Sequence, residues 1–249
     1  MTQRLAELHF HLLPDLDDGP VDAGAAIELA RAAAADGTET IVCTPHARFL
    51  TGAGDLADRV AALRRTLERA GVPIDVRPGA ELKPEDVARF DHAALDAFSQ
   101  GPPTAPWLLL EAPLDPGGVD ELHEAVGELA DRGFGVLLGH PERSPQLLAP
   151  DGGLDALRNQ GVPLQVNATS LTGLHGQAAA AAGLELVRAG AVRVLASDAH
   201  GPDRPPSLGA AVAVLREAGV ENPDQLVSRA PRALLRHGLP APVRLRRAA

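Results

Sequence analysis

Several things are scarce in this chain of 249 residues. There is a single cysteine, Cys43, so no intrachain disulfide can form, and a reducing, cytoplasmic setting is expected. Aromatic residues are few, with five Phe, one Trp and no Tyr, so the core has to be built from Ala, Leu and Val. Long hydrophobic runs are missing. The opening stretch MTQRLAELHFHLLPD is broken early by charge, which predicts neither a signal peptide nor a membrane-spanning helix. Basic charge is in deficit, at a net -10, which argues against a general nucleic-acid binder. It leaves an anionic substrate open, because bound cations reverse the local sign. Lysine is nearly absent: Lys83 stands alone beside 22 arginines, which reads as compositional bias. The basic tail Arg244, Arg246 and Arg247 is short and reads as a solvated end.

What is present is an apolar fraction of 45%, enough for a full core without cross-links. Short apolar runs alternate with longer Ala/Leu/Arg/Glu stretches of helical period. Strands are predicted near Leu5–Phe10, Thr40–Cys43, Ile74–Arg77, Trp107–Leu110, Gly135–Leu138, Leu164–Val166 and Val192–Ala196. Helices are predicted near 21–36, 55–70, 84–98, 118–132, 145–160, 176–190 and 205–218. A last one starts near Asn222-Pro223 and is broken by Pro231. Parallel neighbours need helical crossovers, so seven tandem βα units predict an α/β fold. The expected architecture is a distorted seven-stranded, TIM-like βα barrel, with residues 1–249 as one domain. No repeat or convincing linker divides the chain; a loop of the barrel explains the Gly/Pro-rich stretch Gln100–Pro106 as well as a boundary does.

The polar residues at the strand ends favour closure. The first strand runs into His9-Phe10-His11 and the second into Thr44-Pro45-His46. The third leads to Gly79-Ala80-Glu81, the fourth to Glu111, the fifth to Gly139-His140 and the seventh to Ser197-Asp198-Ala199-His200. In a barrel of parallel strands all these ends share the face on which such folds place chemistry. Residues i and i+2 of an extended chain point the same way, so His9 projects with His11 and Asp198 with His200. Asp18 lies in the loop Leu16-Asp17-Asp18-Gly19-Pro20, where it could fold over the site or serve only as a turn residue. Imidazole with carboxylate and no thiolate suits Mn, Fe or Zn. Nine such groups exceed the needs of one zinc ion and could hold two or three ions with bridging carboxylates.

Each group alone has a plainer explanation, as a helix cap, a turn former or a carboxylate satisfying its own loop. Together those explanations fail, because five of the nine histidines fall at predicted strand ends. The other four, His92, His123, His175 and His237, are assigned no role, and His175 is the least settled because it lies in a glycine-rich loop. Arg143 and Arg204 follow two of the strand-end clusters, so they could bind phosphate oxygens or form surface ion pairs. Asn167 could orient a substrate or satisfy its own loop. Cys43 precedes a strand end without a basic partner, which disfavours a cysteine nucleophile.

These stretches resemble the PHP (polymerase and histidinol phosphatase) superfamily. Within it they are most similar to the manganese-dependent protein-tyrosine phosphatases of bacterial capsule and exopolysaccharide loci. The likeness rests on His9-Phe10-His11-Leu12-Leu13-Pro14 with Asp17-Asp18-Gly19-Pro20, on Thr44-Pro45-His46, Gly79-Ala80-Glu81-Leu82 and Leu110-Glu111. It continues through Gly139-His140-Pro141-Glu142-Arg143, Gln165-Val166-Asn167-Ala168 and Ala196-Ser197-Asp198-Ala199-His200. The resemblance implies one ion on His9, His11, Glu81 and Asp198, and a second on Glu81, Glu111 and His140 with Glu81 bridging. It implies a third on Asp18, His46 and His200, with manganese the usual metal and Arg143 and Arg204 on the phosphate. Two positions depart from the family pattern: Glu7 replaces an aspartate two residues before the first histidine, and Ala47 replaces a histidine after Thr-Pro-His.

The expected function is therefore phosphomonoester hydrolysis. The resemblance points to phosphotyrosyl protein, such as a bacterial tyrosine kinase, and to capsule regulation. A histidinol- or sugar-phosphate phosphatase would keep the same ligands, and so would a non-catalytic metal-binding regulatory module. An amidohydrolase commonly uses a bridging carboxylated lysine after strand four, and the only lysine here is Lys83.

Overall fold

A computed structural model describes residues 4–115 and 117–243, so the basic tail Arg244, Arg246 and Arg247 lies outside the described residues. The chain opens with β1 (Leu5–Glu7), α1 (Ala23–Ala35), β2 (Thr38–Cys43), α2 (Ala53–Arg69), β3 (Asp75–Pro78) and β4 (Glu81–Leu82). Then come α3 (His92–Phe98), β5 (Trp107–Glu111), α4 (Val119–Asp131) and β6 (Gly135–Gly139). The second half holds α5 (Pro145–Leu148), α6 (Leu154–Asn159), β7 (Leu164–Asn167), α7 (Ala168–Leu171), α8 (Gly176–Arg188), β8 (Val192–Ala196), α9 (Leu208–Glu217) and α10 (Arg229–His237).

The strands pair in parallel in two sheets, in the orders β1-β2-β3 and β4-β5-β6-β7-β8. The seven strands expected are thus eight, because the third is interrupted at Gly79-Ala80 and resumes at Glu81. A side chain at Gly79 would run into Val42 and the Cys43 carbonyl, so the chain can cross that point only as glycine. The sheets are joined by single parallel bridges, His46 with Glu81 and Phe10 with Ala199. Both bridges involve or flank residues of the predicted constellation.

Alternation along the strands sorts the core into layers. Val42, Trp107, Leu109, Leu137 and Val194 point inward with Leu8, and Leu234 of α10 and Leu239 close that layer below. Ile41, Leu108, Leu110, Val136 and Leu138 point outward into the layer under the helices. There Leu56, Val60, Leu63 and Leu67 of α2, spaced at helical period, supply one face. Above the inner layer the strands turn polar.

Three helix predictions change in detail. The 84–98 segment is a 3-10 turn, Pro84–Arg89, followed by α3, whose N-cap is Asp91. The 145–160 segment breaks into α5 and α6, because Pro150, Gly152 and Gly153 interrupt it. Only a 3-10 turn, Pro223–Leu226, starts at Asn222-Pro223; the helix itself begins at Arg229. Pro231 does not break it, since it sits in the first turn of α10, where no backbone donor is needed.

Trp107 links the inner layer to α10, its indole N–H donating to the Leu234 carbonyl at 3.2 Å. Trp107→Ala should lower unfolding free energy by roughly 3–5 kcal/mol, read from urea denaturation followed by circular dichroism. A loss under about 1 kcal/mol would show that the inner layer is not a main source of stability.

Candidate metal centre

The chain reaches the site differently at each strand end. After β1 it bends at Leu8 and His9, and Phe10 turns into the core. That leaves His9 and His11 on the other side, held by Phe10 N–H to Thr44 Oγ1 (2.9 Å) and His11 N–H to the Ala199 carbonyl (2.9 Å). Glu111 stands two residues beyond the inward Leu109 on the same strand face. His140 and Asp198 have positive φ, 36° and 52°, a backbone state that His and Asp tolerate better than most side chains. Hydrogen bonds from His140 N–H to the Gln165 carbonyl and from Asp198 N–H to the His9 carbonyl hold both turns.

The nine predicted ligands come together. Among the described residues, four overlapping groups have donor atoms close enough to share an ion, and their members are these same nine side chains. His11, Asp18, His46 and His200 form one group, and His9, His11 and Glu81 another. His9, His140 and Asp198 form the third, and His46, Glu81 and Glu111 the fourth. Glu81 is central: its carboxylate lies 3.2 Å from both His9 Nε2 and His140 Nε2, 3.4 Å from His11 Nε2 and 3.0 Å from His46 Nδ1. Asp18, the residue that also read as a turn former, reaches His200 Nε2 at 3.2 Å and His46 Nε2 at 3.4 Å.

Several of these atoms have no ordinary partner. His46 Nδ1, His200 Nε2 and Glu111 Oε2 are buried without a hydrogen bond, although the first two lie near carboxylate oxygens. Buried polar atoms in folded proteins are nearly always satisfied. Nitrogen and carboxylate lone pairs converging out of line for hydrogen bonding fit a cation placed between them. With hard oxygen and imidazole donors and no thiolate, the set suits divalent first-row ions.

The charges are strongly coupled. Burial alone would raise the Glu81 carboxyl, but His9, His11, His140 and His46 hold it well below the usual carboxylate range. Burial would lower the His11 imidazole, yet Asp17 and Glu81 lift it to about 10. Asp18 and Glu81 likewise lift His46, against its burial, to about 9. Burial, reinforced by Glu81, pushes Glu111 up.

Arg143 and Arg204 both turn toward Asp198. Arg204 Nη2 is 2.5 Å and Arg143 Nη1 3.4 Å from Asp198 Oδ2, while Asp198 Oδ1 faces His9 at 3.2 Å. Asn167 Nδ2 donates to the same Oδ2 at 2.7 Å, so its amide orients this carboxylate. Arg204 Nε is buried with no partner, leaving donor capacity beside the cluster.

Three supporting residues carry no assignment in the sequence reading. Asp17 accepts from His11 Nδ1 at 2.8 Å and from the backbone N–H groups of Gly19 and His46, tying the loop to two ligands. Gln165 Oε1 meets His9 Nδ1 at 3.0 Å, and its amide donates to Asn167. Glu142 accepts from Asn167 N–H and Ser170 Oγ, fixing the end of β7. The available signals were a doubled aspartate before Gly19 and a lone glutamine inside an apolar strand. Of the four unassigned histidines, His175 lies nearest this region, with Nε2 at 3.1 Å from Thr169 Oγ1. Burial and the charges of Arg143 and Arg204 lower it to about 4, so it stays neutral.

Glu7 sits beneath the cluster, fully buried. It accepts from Ser197 N–H at 2.8 Å and from Ser197 Oγ at 2.5 Å. Burial lifts its carboxyl to about 8. A carboxyl raised in the folded state stabilises the fold fully below its unfolded value, near 4.5, and loses that contribution as pH rises toward 8. Glutamine mimics the protonated acid. In chelator-treated protein, Glu7→Gln should match wild type near pH 5 and exceed it by on the order of 3 kcal/mol near pH 8. Urea titrations across this range check it, and a difference that does not vary with pH would refute the buried-acid reading.

The chain matches the family described as capsular polysaccharide synthesis, CpsB/CapC, over residues 5–236. It is 30% identical over 201 residues to the tyrosine-protein phosphatase YwqE of Bacillus subtilis, covering 79% of this chain and 77% of that one. A solved structure from work on YwqE of Bacillus subtilis and CpsB of Streptococcus pneumoniae, described there as unique metal-dependent tyrosine phosphatases, superposes with a TM-score of 0.77. It is 27% identical, covering 97% of this chain and 100% of that chain. The phosphotriesterase homology protein of Escherichia coli shares the fold at 13% identity, with a TM-score of 0.61 over 93% of this chain and 98% of that one.

Proposed function

This chain belongs to the CpsB/CapC family of capsular polysaccharide synthesis, and from that premise we propose that it is a metal-dependent phosphatase of phosphotyrosyl protein. The observation that carries the reading is the meeting of two arginines with the ligand cluster at one carboxylate, Asp198. Guanidinium groups match phosphate oxygens in shape and charge. Here they stand at the edge of nine converging ligands, so a phosphate held by them presents its phosphorus to the cluster. Among described residues no helix is long and apolar enough to cross a membrane. The reading takes residues 1–249 as one PHP-type domain with a βα-barrel plan, acting in the cytoplasm.

Bound ions, manganese by the family resemblance although the donors suit Fe or Zn as well, would supply Lewis acidity and bring water within reach of deprotonation near neutral pH. Two or three would be held, by the nine ligands His9, His11, Asp18, His46, Glu81, Glu111, His140, Asp198 and His200. The chain's own residues do the rest. Arg143 and Arg204 bind and orient the phosphate and take up charge as it develops on the phosphoryl oxygens. Asn167 keeps Asp198 from rotating away. Gln165 and Asp17 hold the rings of His9 and His11 in register. A tyrosyl phenol leaves with a pKa of about 10, so no dedicated acid is required at its oxygen. Cys43 takes no part: it is fully buried, and burial pushes its thiol up. The protein substrate would be a phosphotyrosyl protein of capsule synthesis, with a bacterial tyrosine kinase as the natural class.

Metal-stripped protein should not hydrolyse an aryl phosphate and should recover turnover on manganese addition. No turnover with metal demonstrably bound would overturn the phosphatase reading, and preference for phosphoserine over phosphotyrosine peptide would overturn only the tyrosine assignment. His140→Ala should lower metal content and rate together. Arg143→Ala should lower kcat/KM by roughly 100-fold, the loss expected for one transition-state charge donor, with metal content kept. Equal metal loss in both variants would undo this division of roles.

A further inference from the structure

Five large apolar side chains are exposed among the described residues, and four of them stand on loops around the cluster. Val21 follows the Asp17-Asp18-Gly19 loop, and Phe49 packs its ring 6.5 Å from that of His46. Leu114 lies three residues past Glu111, and Leu174 follows α7.

Of these four, Val21 lines a groove of about 550 Å³. It is lined by Leu29 and Ala32 of α1, by Val21, by Pro202 and Pro206, and by the cluster ligand His200. We propose that this groove is a specificity subsite that takes an apolar side chain of the substrate protein, close in sequence to the phosphotyrosine. The inference rests on the phosphatase reading above and adds the kind of sequence the enzyme selects.

Three features choose this occupant. The groove borders the reaction centre, because the cluster ligand His200, whose Nε2 lies 3.2 Å from Asp18, is one of its lining residues. A chain whose phosphate is at the cluster therefore passes beside the groove. Its length fits: Ala25 to Ala32 spans two helical turns, about 10 Å, and an extended peptide covers that in about three residues. The lining offers nothing to a charged flank, since its one charged member outside the cluster, Glu28, is paired with Arg31 at 2.6 Å. The lining prolines are stiff, so an entering side chain orders little that was mobile.

The test uses full-length, manganese-loaded protein and phosphotyrosyl peptides that differ only within three residues of the phosphotyrosine, carrying Leu and Val or Ser and Asp. Turnover of p-nitrophenyl phosphate, which cannot reach the groove, is the internal standard. Wild type should prefer the apolar-flanked peptide in kcat/KM by about tenfold or more, the range set by one apolar side chain in a fitted pocket. Ala32→Trp puts bulk into the groove and should reduce that preference to within about twofold. Val21→Asp, at a position 79% exposed and so safe for folding, should weaken the preference as well. Equal kcat/KM for both peptides, with p-nitrophenyl phosphate still hydrolysed, overturns the subsite and leaves the phosphatase reading standing. Loss of p-nitrophenyl phosphate turnover in metal-loaded wild type overturns both. A concentration-dependent dimer dissolved by Val21→Asp, together with indifference to flanking sequence, assigns the groove to a second copy of the chain and overturns the proposal.

Discussion

Two buried carboxylates, Glu81 and Asp198, impose the constraint around which the polar end of this protein is organised. Each is 1% exposed, and an unpaired carboxylate in such a place costs several kcal/mol. For Glu81 the close partners all arrive from other strands, and Asp198 adds to such partners Arg204 from the loop that follows it. Four imidazoles, from the ends of β1, β2 and β6, surround Glu81 within 3.4 Å. Asp198 takes His9, two arginines and the Asn167 amide. The two sheets touch through single bridges at this level, one made by His46 and Glu81 of the charge network and the other by Phe10 and Ala199, which flank its ligands.

This arrangement divides the interior of the fold. Below, an apolar layer from both sheets is sealed by α10. Above, the chain accepts unfavourable backbone states to aim its ligands. His140 and Asp198 are two of the four non-glycine residues with positive φ among the described residues. Such a state costs on the order of 1–3 kcal/mol and persists only where the surroundings over-determine it. Here the surroundings are backbone bonds to the neighbouring strand ends, so the ligand geometry depends on correct strand pairing beneath it.

Much of this was legible in the sequence for one reason. A parallel βα fold places every strand's C-terminal end on one face, so a polar residue after an apolar run has a predictable location. That logic located His9, His46, Glu111 and Asp198 together although they are far apart in the chain. It could not see what lies outside the period. The break at Gly79, which splits a strand in two, depends on the closeness of Val42, a contact between strands. The start of the last helix was misplaced because Asn222-Pro223 carries the signals of a helix start yet opens only a short turn. Asp17 escaped notice because its neighbour Asp18 was the more conspicuous candidate. Which of two adjacent aspartates points inward is settled by the loop's hydrogen bonds to Gly19 and His46. Gln165 is a polar residue on a buried strand, and its role follows from its partner His9, 156 positions away.

The same charges explain how an acidic chain can select an anion. Taken formally, the cluster holds four carboxylates, Asp18, Glu81, Glu111 and Asp198, against the two guanidinium groups of Arg143 and Arg204. With the imidazoles neutral, as ligation requires, these groups alone sum to an excess of two negative charges. Two divalent cations reverse it to an excess of two positive ones. The cations then matter for binding as well as for chemistry: without them Asp198 engages both arginines, and His11 and His46, lifted to about 10 and about 9, hold protons in the ions' place. The net charge of -10 is thus no argument against phosphate, since the sign at the site is set by its ions and not by the chain.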